Sequence, residues 1–367
     1  MSSRLVSIDV LRALVMILMT IDHAREYSSG PGRVSDPMDL SKVTPLLYTL
    51  RWLSHFCAPT FALLMGISAG FRPDAARLAK RGLMLLLLEF TIIDWSWTFN
   101  PLWHRKFWQV IAALGASCLL IAALSRLGHR AVLAIGALIL ATHNLFDHVR
   151  FPEGTPVHYV WSFLHQMNVL PLGGGFEVRT TYPFLPLAAI AMLGYGIAPW
   201  FRLPDARRRL AITGAAFLVL FVLLRTVVGY GDAGAFGGTL MSLGNVTKYP
   251  VSLQFALMTL GPALLFLSFT HPLTNAPQWI LTLGRSPLIF YVAHLYLLHA
   301  LALLASLAMG LGIADFSKRF GGIPEGFGFP LWVTVPFALA TVAILVFVLQ
   351  RYQMLAARKH QHFLLHS

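Results

Sequence analysis

Charge is scarce in this sequence. Asp, Glu, Lys and Arg together make up 12% of 367 residues, whereas 57% are hydrophobic. A soluble domain carries roughly 25% charged residues, so this chain has too little polar surface to cover a water-exposed globule. The shortage excludes a soluble enzyme and a disordered chain. Acidic residues are the scarcest charges, 15 against 28 Lys and Arg, which leaves a formal net charge of +13. Cysteine is nearly missing. Cys57 and Cys118 both sit in apolar runs, which excludes a disulfide framework and a CxxC metal site. The positive excess would suit a nucleic-acid partner, but no basic stripe lies on a soluble stretch, so no nucleic acid is expected.

Long apolar runs take the place of the missing charge. A membrane helix needs about 20 mostly apolar residues. Ten segments meet or approach that: 8–26, 46–70, 81–99, 107–127, 131–147, 183–201, 210–229, 250–270, 287–311 and 330–352. The first lacks the uninterrupted apolar stretch and small-residue cleavage site of a signal peptide and reads as a retained helix. Basic residues concentrate in the short loops 71–81 (Arg72, Arg77, Lys80, Arg81) and 202–209 (Arg202, Arg207, Arg208, Arg209). The positive-inside rule then places both termini in the cytoplasm. The longer loops, 24–45, 148–182, 230–249 and 312–329, fall outside, with a short interfacial helix expected within 157–169. The expectation is an all-α polytopic membrane protein of about ten transmembrane helices. It forms a single domain over 1–367, in the lipid bilayer of a plasma (bacterial inner) membrane.

The informative residues are those that break the apolar rule. Ionisable groups inside a span cost several kcal/mol unless paired or facing water. The first helix carries Asp9, Arg12, Asp22 and His23. Arg12 and His23 are eleven residues apart, about 20° short of or beyond whole turns, so they share a face and lie about 16 Å apart along the axis. Asp9 is three residues before Arg12, within ion-pair reach, and Met16 and Met19 lie on the same stripe. In the second helix Arg51 and His55 share a face that continues through Ala58, Ala62, Gly66 and Ala69. Small residues there serve internal packing, a ligand or a homodimer, and Pro59 frees a carbonyl near His55. Glu89, Asp94, Arg225, His143, Asp147, His294 and His299 are further polar groups in or at the ends of spans. His294 and His299 do not project together on a helix and no HExxH pattern occurs, so no metal is expected.

A histidine near the outer end of a bundle suits general-base chemistry at neutral pH. A cation at the other end of the same face suits an anionic donor. Acyl-CoA has the matching form: phosphates at one end, a thin pantetheine arm, and a thioester at the tip. Arg285, at the inner start of the ninth helix, is placed to meet donor phosphates. Lys248 and Tyr249 sit at the outer mouth of the eighth, where an acceptor can bind, although Tyr and Lys are also ordinary interfacial anchors. On these grounds alone a group-transfer enzyme and a transporter stand level.

The run SIDVLRA (7–13), with Arg12-x10-His23, resembles the Arg/Lys-x10-His motif of the transmembrane acyltransferases. RWLSHFCAPTFALLMGISAG (51–70), TKYPVSL (247–253), Leu260-Gly261-Pro262 and LGRSP (283–287), followed by Phe290-Tyr291 and His294, are similar to the heparan-α-glucosaminide N-acetyltransferase family within that superfamily. The resemblance implies that acetyl-CoA enters from the cytoplasm and that the acetyl group passes to a sugar amine or hydroxyl on the far side, on a glycan or lipid-linked sugar. Arg12 and Arg285 would hold the donor. His23 would act as base or transient acyl carrier. Arg51, Lys248 and Tyr249 would face the acceptor, with Asp9, Asp22 and His294 in support. In the lysosomal member of the family the position of His23 is Asn and the essential His lies in the following loop. The loop here contains no His, which leaves His23 or His55 as the base. The competing classes are a secondary transporter, which would show interrupted helices in paired halves, and a non-catalytic membrane protein. Matching interruptions are not found in the two halves.

Overall fold

The computed structural model describes residues 5–30, 37–100, 102, 104–316 and 321–366, with side chains described as far as 355. The chain is mostly helical. Seven helical runs among the described residues are long and apolar enough to cross a membrane: Pro45–Phe71, Val110–Phe146, Phe184–Arg202, Ala206–Val228, Leu253–Thr270, Pro287–Ala308 and Leu331–Leu355. The protein is therefore an integral, polytopic membrane protein. Two of the ten expected segments, 107–127 and 131–147, fall in one run of 37 residues. That run is broken at Gly128, whose φ of +83° is a left-handed conformation that glycine adopts at no steric cost. The expected segments 8–26 and 81–99 are helical but too charged to rank with the seven. The first carries Asp9, Arg12, Asp22, Arg25 and Glu26, the second Arg81, Glu89 and Asp94.

By its internal contacts the chain divides into two compact units. The first comprises Met1–Ser54, Ser96–Phe99 and Thr270–Ser367. It contains α1 (Val6–Ser28) and α2 (Pro45–Ser54). From the C-terminal part it adds the helices Gln278–Arg285, Pro287–Ala308 and Leu331–His366. Helix α1 is its centre and packs against all of these.

The second unit comprises His55–Trp95 and Asn100–Phe269. It begins with α3 (Cys57–Phe71) and α4 (Ala75–Leu88), followed by a π-helical turn at Glu89–Ile93 and α5 (Asp94–Thr98). Helices α6 (Val110–Leu124) and α7 (Gly128–Thr142) form the run broken at Gly128. A short α8 (Pro156–Leu164) is started by the Thr155 side chain, which accepts the His158 N–H. It covers the first part of the stretch 157–169 where a short helix is expected. Then come α9 (Phe184–Ile197), α10 (Ala206–Leu223), α11 (Leu240–Gly244) and α12 (Leu253–Thr270). The C-terminal helices of the first unit follow as α13 (Gln278–Arg285), α14 (Pro287–Ala308) and α15 (Leu331–His366).

The small-residue face of the second apolar segment is used inside the unit. A Cβ on Gly66 would lie 1.9 Å from the Ala191 carbonyl oxygen, and one on Gly194 would lie 2.2 Å from that of Leu63. The backbones of α3 and α9 thus touch, as small residues permit. Internal packing is therefore the use of this face. Pro59 falls in the first turn of α3, so the helix restarts at Cys57 after two residues of turn at His55 and Phe56. The missing N–H of Pro59 is the one His55 would have bonded.

The all-α expectation needs one correction. Three strands, β1 (Arg105–Trp108), β2 (Val169–Gly173) and β3 (Phe176–Thr180), form a sheet of order β1-β3-β2. β2 and β3 are an antiparallel hairpin and β1 joins β3 in parallel, Arg105 opposite Glu177. Strands of four and five residues are too short for alternation to mark them, and β1 finds its partner far along the chain.

Candidate active site

Helix α1 carries the same local motif, Asp-x-x-Arg, near each end, as Asp9–Arg12 and Asp22–Arg25. Three residues along a helix bring two side chains onto one face, and both pairs form. Arg12 Nη1 lies 3.1 Å from Asp9 Oδ1. Arg25 donates Nε and Nη2 to Asp22 Oδ1 at 3.1 and 3.0 Å. Each buried carboxylate also takes a second arginine from elsewhere in the unit. Arg285 Nε reaches Asp9 Oδ2 at 3.3 Å, and Arg51 Nη1 reaches Asp22 Oδ2 at 2.7 Å. The structure thus brings together Asp9, Arg12 and Arg285 at one end of α1 and Asp22, Arg25 and Arg51 at the other. Arg12 also donates to the Gly284 carbonyl at 2.9 Å. Helix α13 comes this close because residue 284 lacks a side chain: a Cβ there would sit 2.0 Å from the Asp9 carbonyl oxygen.

Beside Asp22, His23 meets His294 of α14. The rings stack at 5.0 Å and 11°, with His23 Nδ1 2.7 Å from His294 Nε2. The far nitrogen of His294, Nδ1, lies 3.1 Å from the Phe290 carbonyl oxygen. A carbonyl only accepts, so His294 Nδ1 carries the proton. In the neutral ring Nε2 is then the acceptor, and His23 Nδ1 must donate to it. A neutral His23 therefore has its lone pair on Nε2. The chain of partners assigns this tautomer. Trp97 and Tyr291 stand edge-on to the His23 ring at 5.2 and 6.3 Å. His294 is fully buried between Phe290 and Tyr291. His299 points elsewhere, with its ring nitrogens 2.9 and 2.8 Å from the Ser96 and Gly321 carbonyl oxygens.

The remaining candidates lie in the second unit. His55 is buried, its ring 5.0 Å from Phe255. Lys248 Nζ sits 5.3 Å over the Tyr249 ring, whose hydroxyl lies 3.3 Å from that of Tyr182. Tyr249 also lines a cavity of about 250 Å³, together with Asn144, Asp147, His165, Thr247 and Ser252. One rim of this region is organised by Arg225, the cation expected inside a span. It donates to the carbonyls of Gly234, Ala235, Ser242 and Asn245. Asp232 completes the arrangement by accepting from the Thr247 N–H and the Ser252 hydroxyl. Of the acidic residues in 81–99, Glu89 accepts the Ala112 N–H at 2.8 Å, and Asp94 accepts that of Phe107 and faces Lys106. Burial pulls the Lys106 ammonium below its ordinary range, and the attraction of Asp94 opposes but does not cancel this.

The distant arginine partners of the two carboxylates, Arg285 and Arg51, and the ring partner of His23 are not evident from spacing alone. Arg12 and Arg25 are, because the repeated Asp-x-x-Arg motif is visible in the sequence. The profile of the family described as "Heparan-alpha-glucosaminide N-acetyltransferase, catalytic" matches residues 4–229. No curated protein sequence matches the chain. His23 lies within the matched stretch, and His294, Phe290 and Arg285 lie beyond it.

Proposed function

The chain belongs to the heparan-alpha-glucosaminide N-acetyltransferase catalytic family, a membrane acetyltransferase family, and from that premise we propose the reaction and the residues that carry it. The protein moves an acetyl group from cytoplasmic acetyl-CoA to an amine or hydroxyl of a sugar on the outer side of the membrane. About ten helices span the bilayer, both termini are cytoplasmic, and the whole chain acts as one acyltransferase-like domain in the bacterial inner membrane.

The observation that supports this reading best is the His23–His294–Phe290 chain, whose His23 lies on the same helix as Arg12. With its lone pair on Nε2, His23 takes the proton from the acceptor's amine or hydroxyl as that group attacks the thioester carbonyl. The C–S bond breaks, CoA leaves as the thiolate, and His23 returns the proton to that sulfur. His294 holds the His23 ring in the required tautomer and shares the charge while His23 is protonated. Arg12 and Arg285, joined through Asp9, receive the donor's phosphates. The eleven-residue step from Arg12 to His23 separates the anion-binding end from the base by about 16 Å, a span suited to the pantetheine arm. Lys248, Tyr249 and Arg51 are assigned to the acceptor. Arg51 acts through Asp22 as a positioning residue, because its guanidinium is already engaged there.

The test is single-turnover transfer from labelled acetyl-CoA to amino sugars by the purified chain in nanodiscs, with donor binding measured separately. His23→Ala is expected to lower transfer by about 10²–10⁴-fold, the usual contribution of a general base, while donor binding stays close to wild type. Arg12→Ala is expected to weaken donor binding first. If His23→Ala keeps full activity and His55→Ala loses it, the base is His55. Failure of the folded protein to bind acetyl-CoA at millimolar concentration would overturn the donor assignment.

A further inference from the structure

At the end of α7 the chain places His143 and Asp147 beside His165, which follows α8. One ligand atom from each of the three lies within 4.8 Å of the others. His143 is 2% exposed, and neither of its ring nitrogens has a hydrogen-bond partner among the described residues. His165 is 1% exposed. Its Nε2 lies 2.9 Å from Asp147 Oδ1, and its Nδ1 has no partner among the described residues. A buried polar atom left without a partner costs about 1–3 kcal/mol, and native interiors seldom leave two on one ring. The neighbours keep the site ordered. Asn144 Nδ2 donates to Asp147 Oδ2 at 2.8 Å, and Asn144 Oδ1 in turn accepts the Leu253 N–H at 2.9 Å. The Trp161 ring lies 5.0 Å from that of His165.

We propose that His143, Asp147 and His165 bind a divalent transition-metal cation of the zinc class, a site separate from the acyl-transfer residues and not dependent on that reading. Two imidazoles and one carboxylate are a donor set that zinc takes readily, whereas calcium and magnesium favour oxygen alone. Around a tetrahedral cation, ligand atoms stand about 3.3 Å apart at ordinary Zn–N and Zn–O distances. The widest spacing here closes to that by small side-chain rotations, and the His165–Asp147 contact opens slightly. The cation takes up one of the two unpartnered nitrogens of His143. Asn144, through its amide N–H, supports the Asp147 carboxylate from behind, as ligating carboxylates are usually supported. Asp147 and His165 also line the cavity of about 250 Å³, so the fourth position is reached by water or by a hydroxyl entering there.

The test uses the full-length chain in detergent micelles, with an affinity tag free of histidine. The protein is stripped with a chelator, loaded with Zn²⁺, desalted and assayed for bound metal. A parallel sample takes Co²⁺, whose visible absorption reports a tetrahedral nitrogen–oxygen site. Wild type is expected to retain about one zinc per chain. His143→Ala and the shape-conserving Asp147→Asn should each weaken binding by at least about 10–100-fold, the loss seen even for residues behind the ligands. His148→Ala, at the exposed neighbour, should bind as wild type does. Absence of retained metal in folded wild-type protein, the result expected if a water fills the site, overturns the proposal. So does equal binding by all four proteins.

Discussion

The two ends of α1 repeat one motif under different conditions. At each end a buried aspartate takes one arginine from three residues on and a second from elsewhere in its unit. Near the C-terminal end the clamp is closed: the side chains of Arg25 and Arg51 are 3% and 11% exposed. Near the N-terminal end it is open on one side, because the Arg285 side chain is 38% exposed. The same local sequence therefore yields a sealed ion cluster in one place and, in the other, a cluster with one arm in solvent. A sealed charge cluster is hard to dismantle, because removing one member strands the rest away from water. An arm in solvent can leave its carboxylate for another anion at little cost. This difference matches the roles proposed for the two ends, a fixed support beside His23 and an adaptable phosphate contact at Arg12 and Arg285.

The contrast predicts unequal losses. Asp22→Ala takes the shared carboxylate from two enclosed arginines, leaving Arg25 the longer contact to Glu26 at 3.4 Å, and is expected to cost about 3–5 kcal/mol of stability. Asp9→Ala is expected to cost about half as much, since Arg285 can turn to water. Denaturant midpoints of the two variants in the same detergent check this, and equal losses would mean that the difference in enclosure has no energetic weight. Next in size is Gly284→Ala. Its Cβ must displace α13 from the Asp9 backbone, an overpacking cost of about 1–3 kcal/mol. It should also disturb the Arg12–Gly284 contact, so acetyl-CoA affinity is expected to fall along with stability. Smallest in stability is Arg285→Ala, under about 1 kcal/mol as for exposed ion pairs. Its acetyl-CoA Kd should nevertheless rise about tenfold, the value of one hydrogen bond to a charged group. A large stability loss with unchanged donor affinity would reverse the roles assigned to the two ends.

Much of α1 is legible in the sequence. The spacing of Asp9 and Arg12 predicts their pairing, and the structure forms it. The helical arithmetic that puts Arg12 and His23 on one face needs only a continuous helix, and Val6–Ser28 provides one. What spacing does not give is the choice of distant partners. Arg51, Arg285 and His294 are separated from α1 by most of the chain or by loops, and many in-span residues of the same kinds compete for each place. The sheet escapes notice because β1 pairs in parallel with a strand some 70 residues later, after three intervening helices. The His143, Asp147 and His165 cluster is hidden for a related reason. A search for paired histidines at helical spacing passes over a set whose third member follows a separate short helix. His55 and His23, which the sequence leaves as rival bases, differ in their surroundings. The His55 ring packs beside Phe255, while His23 has a ring partner that dictates where its proton sits.

Arg225 holds the segment after α10 through backbone oxygens at positions 234, 235, 242 and 245. Every amino acid supplies such an oxygen, so the path of this loop is fixed largely independently of the side chains it displays. Ala233, which faces the cavity, and the exposed Ala235 and Phe236 can thus be exchanged for others while the loop keeps its course, whereas Gly238, at φ +77°, and Thr239, which caps α11, are fixed by the turn itself. The stretch is a natural point of variation for a cavity wall, and a practical place to graft new contacts without redesigning the fold beneath it.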